Sequence, residues 1–228
     1  MKNVFEPILE FQCMRRCCLD PIRRRLLIAV ATLFGIFPWS PVAMAIDEPA
    51  YKVIEETGKF QLRQYAAYLV AETRVNAGFE EAGNIGFRRL FDYISGNNEP
   101  QAKIAMTAPV TQSRGAKIKM TAPVSQTLES GHYRIAFVVP ANYTLETVPR
   151  PLDPQVRIRE VPAQRVACWR YSGRWTQDNY RRSVATLREA LQARGLEERG
   201  EPVLARYNPP FTPWFMRRNE ILIPVERP

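Results

Sequence analysis

Apolar and polar residues alternate over residues 60–65 (Phe-Gln-Leu-Arg-Gln-Tyr) and 156–161 (Val-Arg-Ile-Arg-Glu-Val), the period of a strand with one buried face. A short corner and a second strand follow each, at 68–73 and 165–171. The spacing becomes helical over 79–94, where Phe79, Ala82, Gly86 and Leu90 make one stripe that Phe87, Phe91 and Ile94 widen. Ser95-Gly96-Asn97-Asn98 supplies the stop. A second helix is predicted over 178–193, with Tyr180, Val184, Leu187 and Leu191 on its buried face and Gly195 beyond its end. Strands are predicted at 103–110, 117–124 and 133–140 after the first helix, and at 202–207 and 220–225 after the second. The order β-β-α-β-β thus occurs twice, residue 60 matching 156 and residue 70 matching 166. That is a supersecondary duplication of α+β class, whose two halves can pair their sheets into a barrel-like core with helices outside.

The first 45 residues follow another pattern. Arg23-Arg24-Arg25 precedes an apolar run over 26–37, and Ala43-Met44-Ala45 closes the segment. A positive flank, a short apolar core and an Ala-x-Ala end are the parts of a secretory signal peptide, predicting cleavage after Ala45 and a domain over 46–228. The run is short for a bilayer span, which takes about 20 residues, so no stable membrane span is expected after cleavage. An uncleaved N-terminal anchor is the rival. Translation can begin at Met1 or at Met14, which opens directly onto Arg15-Arg16.

Removing this segment changes the chemistry available. Residues 1–45 hold six Lys or Arg and three acids, so of 32 basic and 23 acidic residues 26 and 20 remain, a net charge of +6 instead of +9. A mildly basic body favours anionic ligands. It has no dense Lys/Arg run, so no nucleic-acid partner is expected. Cys13, Cys17 and Cys18 leave with the leader, and the remaining Cys168 has no partner for a disulfide. With 46% apolar and 24% charged residues, the chain is globular in usage and can form a core without such staples.

Two segments are distinctive. Lys103-Ile-Ala-Met-Thr-Ala-Pro-Val110 recurs fourteen residues on as Lys117-Ile-Lys-Met-Thr-Ala-Pro-Val124, and the C-terminal run Tyr207-Asn-Pro-Pro-Phe-Thr-Pro-Trp-Phe-Met-Arg-Arg-Asn-Glu leads into an apolar strand. With Tyr51-Lys-Val-Ile and Phe60-Gln-Leu-Arg, these resemble the SOUL haem-binding protein family over about residues 48–226, here as an exported, bacterial-type member. The resemblance implies a distorted antiparallel β-barrel with two flanking helices. It also implies binding of haem or another tetrapyrrole, without established catalysis, in an apolar groove beside the first helix. Phe87 and Phe91 would wall that groove, and Arg88 could meet a propionate. Some members have been proposed to hold haem through a histidine, and this chain has none in its first helix or the strands before it.

Other side chains carry two readings each. Met106 and Met120, equivalent in the repeated segments, either line the groove or fill the core. Phe211, Trp214 and Met216, with Phe215, form either a pocket rim or a packing lid. Arg217-Arg218 can pair with Glu220 or receive an anionic group. His132, the one histidine, has the wrong strand parity for the apolar face of 133–139 and reads as a solvent-facing turn residue. Cys168 reads as a buried inert thiol. No triad, phosphate-cradling glycine loop or metal-ligand spacing is present, so neither a catalytic nor a metal site is assigned. The expected function is that of a periplasmic or secreted haem- or tetrapyrrole-binding protein with weak or no iron ligation. The alternatives are a protein-interaction or envelope scaffold module of the same fold, whose partner is unknown, and last an enzyme acting on tetrapyrroles.

Overall fold

A computed structural model of the protein describes residues 47–100 and 115–226. The leader, the predicted strand at 103–110 and Met106 lie outside these residues.

Among the described residues, twelve strands and two helices run in the order β1 (Tyr51–Thr57), β2 (Phe60–Tyr65), β3 (Tyr68–Val75), α1 (Phe79–Ser95), β4 (Asn98–Glu99), β5 (Val124–Glu129), β6 (His132–Val138), β7 (Arg150–Pro151), β8 (Val156–Val161), β9 (Gln164–Tyr171), α2 (Gln177–Gln192), β10 (Glu197–Glu198), β11 (Val203–Arg206) and β12 (Asn219–Glu226). A 3-10 turn, Trp214–Met216, lies between β11 and β12. Ten strands form one antiparallel sheet in the order β1-β2-β9-β12-β11-β5-β6-β3-β8, with β10 pairing β12, while β4 and β7 make a separate ribbon.

The class is α+β, as the pattern predicts, but the sheet does not close into the expected barrel. Among the described residues strands β1 and β8 are the two ends of its strand order. Both edges carry charge (Lys52, Glu55 and Glu56 on one, Arg157, Arg159 and Glu160 on the other), and β1 is interrupted by a bulge between Val53 and Glu55. These features keep an edge from recruiting another strand.

The predicted strand at 117–124 also takes another form, since only Val124 enters β5. The Ile118 amide donates to the Ile94 carbonyl, and the Ala122 amide to that of Asp47. Backbone donors that would join a ladder are instead spent on the end of α1 and the N-terminal strap, and Pro123 has none to offer. Met120 is consequently 42% exposed, against its core-filling role.

Both helices cover one face of the sheet and meet at their starts, where Phe79 stacks near Tyr180 at 5.3 Å between ring centroids. Helix α1 buries Ala82, Gly86, Leu90, Tyr93 and Ile94 in a cluster with Ala71, Ile135, Phe137 and Val156. Gly96 ends it in a left-handed conformation (φ 124°), where a side chain would be strained. Helix α2 starts at Thr176, whose hydroxyl accepts from the Asn179 amide, and buries Val184, Leu187 and Leu191 against Phe60, Leu62, Ile221 and Ile223.

The opposite face holds a buried polar network. Arg63 donates both Nη atoms to the two Glu220 oxygens, at 2.7 and 3.0 Å. Glu220 also accepts from Arg170 (3.2 Å), Arg218 (3.0 Å) and the Tyr207 hydroxyl (2.8 Å). Burial alone would raise the Glu220 pKa, but the Arg63 guanidinium outweighs it and holds the carboxyl down at about 2.

Candidate functional site

The sheet twists between the two helices and leaves the central strands β5 and β11 uncovered at the helix starts. There a cleft of about 550 Å³ opens, within the range of small-molecule sites. Strand alternation selects its floor. Leu204 and Arg206 of β11 and Gln126 of β5 face the helices, and Val203, Ala205, Ser125 and Thr127 face away. Gln126 donates to the Phe79 carbonyl at 2.7 Å and so ties the floor to the first turn of α1. Phe79, Glu80 and Asn84 make one wall, Arg174, Trp175 and Thr176 the other, and the β11–β12 loop the rim through Phe211, Trp214 and Arg217.

The walls are braced. Trp175 donates its indole N–H to Asn219 Oδ1 at 2.7 Å, and Asn219 in turn donates to the Gly173 carbonyl. Arg217 clamps the rim by donating to the carbonyls of Thr212 (2.8 Å) and Pro210 (2.7 Å), with its guanidinium 4.1 Å from the Trp175 ring centre. The loop thus borders the cleft. Phe211 is 85% exposed and Trp214 53% exposed, although both are large apolar side chains.

Arg206 is the least satisfied of the cations among the described residues. Its Nε and Nη2 are shut off from solvent and have no hydrogen-bond partner among the described residues. Burial pushes its pKa down to about 10, which leaves it charged at neutral pH. A Cβ built on Gly83 would lie 3.2 and 3.3 Å from its two Nη atoms, so this glycine admits the guanidinium against α1. Trp175 contributes a ring face at 5.2 Å.

The sequence-predicted site residues separate. Phe211 and Trp214 line the cleft, while Met216 is exposed on the same 3-10 turn. Phe87 and Phe91 stack on each other at 5.9 Å, and Phe87 is held edge-on against Phe137 at 5.3 Å. Phe87 is therefore half core residue, whereas Phe91 is 45% exposed. Neither lines the cleft, but Asn84, Phe87, Arg88 and Phe91 are spaced at three and four residues and form one helical stripe leading away from it. Exposed Met120 is not among the cleft residues.

Arg217 and Arg218 part company, and only Arg218 pairs with Glu220. Arg217 faces the cleft, and Arg218 faces Glu220 and Glu48 on the other side of the sheet. His132 is exposed, with Nδ1 3.1 Å from the Ser130 carbonyl oxygen, as its parity predicts. Cys168 is buried, and that burial pushes its thiol pKa up, away from thiolate chemistry. Arg206, Trp175 and Gln126 are among the cleft residues that pattern reasoning missed. The one available signal was Arg206 sharing a strand face with apolar Leu204.

Two further cavities fit an anionic planar ligand less well. The larger, of about 1080 Å³, is lined by Asp47, Glu48, Glu146 and Glu160 and by no Lys or Arg. The trough on the helix-free face measures only about 270 Å³. Among the described residues no group of three or more His, Cys, Asp or Glu side chains could hold a metal ion, and no helix is long and apolar enough to cross a membrane.

Comparison with known proteins converges on one family. The family model described as SOUL heme-binding protein matches residues 46–224. Human heme-binding protein 2 is 26% identical over 191 residues, covering 78% of this chain and 89% of that protein. Heme-binding protein 1 of Xenopus laevis is 26% identical over 163 residues, covering 71% and 81%. Among solved structures, the EcmrR C-terminal domain superposes with a TM-score of 0.53 at 12% identity, over 78% of this chain and 99% of that one. At that identity the likeness is one of fold.

Proposed function

Because the chain belongs to the SOUL heme-binding protein family, we propose that it binds haem or a related tetrapyrrole in the cleft between α1 and α2. The observation that carries this is the pair of exposed rings, Phe211 and Trp214, held by a braced loop over a floor that contains an unpartnered cation. Large aromatic side chains left in water at a concave site gain free energy when a flat apolar ligand covers them. The macrocycle would lie against these rings and extend along the Asn84–Arg88–Phe91 stripe of α1, which is about 10 Å long. Arg206, Arg174 and Arg217 supply positive charge for the acidic substituents. When bound, the group supplies its own chromophore and iron, and the chain binds and orients it without turnover.

Iron ligation does not fit this donor set. Strong axial ligands are His, Cys, Met and Tyr, and none of these lines the cleft. Apolar and ionic contacts carry the binding, so haemin and metal-free protoporphyrin should bind with comparable affinity. Titration followed by absorbance and fluorescence tests this. Joint replacement Phe211→Ala and Trp214→Ala should weaken both at least about tenfold. No saturable change with either porphyrin, or unchanged affinity in the double variant, would remove the proposal.

Duplication and export belong to the same proposal. Exchange of the halves (β2 with β8, β3 with β9, β5 with β11, β6 with β12) turns the strand order β2-β9-β12-β11-β5-β6-β3-β8 into itself, which supports a duplicated unit. The basic, apolar and Ala-x-Ala parts of residues 23–45 support a signal peptide and a periplasmic or secreted product.

A further inference from the structure

Arg206 is a half-buried cation with two guanidinium nitrogens enclosed and without a hydrogen-bond partner among the described residues. The fully buried Arg63 is paired with Glu220 at 2.7 Å, in a network that satisfies every nitrogen of its guanidinium, and half-buried Arg165 has one enclosed nitrogen, Nε, without a partner among the described residues. Arg206 has no such arrangement. Two of its three nitrogens are enclosed without an acceptor, and arginine does not escape by losing its proton at neutral pH. The Trp175 face and the glycine at position 83 accommodate the guanidinium, but neither accepts a hydrogen bond from it. Of the charged residues lining the cleft, three are arginines and one is acidic, and that one, Glu80, is exposed. A cation held in this way is complete only when something carries an anion to it.

We propose that Arg206 is a preformed receptor for one carboxylate of the ligand, so that an aromatic acid enters the cleft acid group first. The carboxylate would accept from the Arg206 guanidinium at the floor, and the ring system would remain at the rim against Phe211 and Trp214. A planar two-donor fork matches a carboxylate better than it matches a neutral ester or alcohol. The ligand class is therefore a flat aromatic compound with a free carboxylate, and the site discriminates by that group rather than by iron. This rests on assigning the ligand to the cleft, but not on the ligand being a tetrapyrrole.

The test uses the full chain and four probes: protoporphyrin IX, its dimethyl ester, 2-naphthoate and the methyl ester of 2-naphthoate. Affinity is read by fluorescence titration and thermal shift. The free acids should bind at least tenfold tighter than their esters. Arg206→Met should abolish that difference while leaving the melting temperature of the ligand-free protein equal or higher, because it removes an unpaired half-buried charge. A residue with only a structural role would lower it. Equal affinity for acid and ester in the unaltered protein, which needs no variant, overturns the receptor. Discrimination retained in Arg206→Met overturns it too. If porphyrins bind without discrimination, the tetrapyrrole proposal stands and the receptor fails. If only naphthoate binds, and through Arg206, the receptor stands and the tetrapyrrole proposal fails. Binding by none of the four removes both.

Discussion

Glu220 is a buried charge and Arg206 a half-buried one, on opposite faces of the same sheet, and their surroundings differ. Glu220 accepts from three arginines and a tyrosine, so its charge is a structural tie. Its folded pKa of about 2 lies below the ordinary 4.5, so the folded state holds fewer protons than the unfolded chain between those values. The stability it contributes is fully present above about pH 4.5 and is lost as pH falls through about 2. That shift corresponds to roughly 3 kcal/mol. Glu220→Gln leaves Arg63 buried without a carboxylate and should cost about 3–5 kcal/mol at neutral pH. It should also flatten the acid limb of the stability curve. Denaturant unfolding of both proteins between pH 7 and 2 checks both outcomes, and an unchanged acid limb would contradict the assignment. Among the described residues Arg206 has no such partner, and it lines the cleft.

Helix α1 can flank the cleft only because it lies close to the sheet. Gly86 is the point of approach: a Cβ there would fall 2.4 Å from Ile135 Cγ1 and 2.6 Å from Ile135 Cβ. The opposing atoms belong to a β-branched side chain in a buried strand, and they cannot swing away. Gly86→Ala, which would strengthen an isolated helix, should therefore destabilise this protein by about 1–3 kcal/mol through overpacking. Comparison of urea midpoints would show it, and a variant as stable as the parent would mean that the helix floats more freely than its packing indicates. The β11–β12 loop works by a related local rule. Consecutive residues of an extended chain point to opposite faces, so Arg217 reaches Trp175 and the cleft while Arg218 reaches Glu220.

At the scale of the whole molecule, the helices divide the core into two clusters, one under α1 and one under α2, and the cleft lies at the seam above β5 and β11. A site at that seam draws on both halves of the chain. Export adds one expectation at this scale. Expression with its native N-terminus should yield an exported product whose sequence starts at Ile46, and an intact N-terminus on that product would favour the anchor instead.

Strands 60–65, 156–161 and 165–171 and both helices were legible in the sequence because burial on one side writes its own period into the chain. The family was legible because its repeated Lys-Ile-x-Met-Thr-Ala-Pro-Val segment and its Arg-Arg-Asn-Glu element are specific strings. Composition set the mildly basic surface, and parity alone put His132 in solvent. Tertiary structure decided the rest. Residues 117–123 have strand-like composition, yet their backbone donors found the end of α1 and the N-terminal strap first. The edges carry charges that suit an open sheet, but only pairing shows which strands are edges. Only the tertiary structure shows that Phe211 and Trp214 stay exposed beside the cleft. Arg206 was invisible as a site residue because a guanidinium without an acceptor is a property of everything around it. Local periodicity records which face of an element is buried, but not what, across the molecule, is left without a partner.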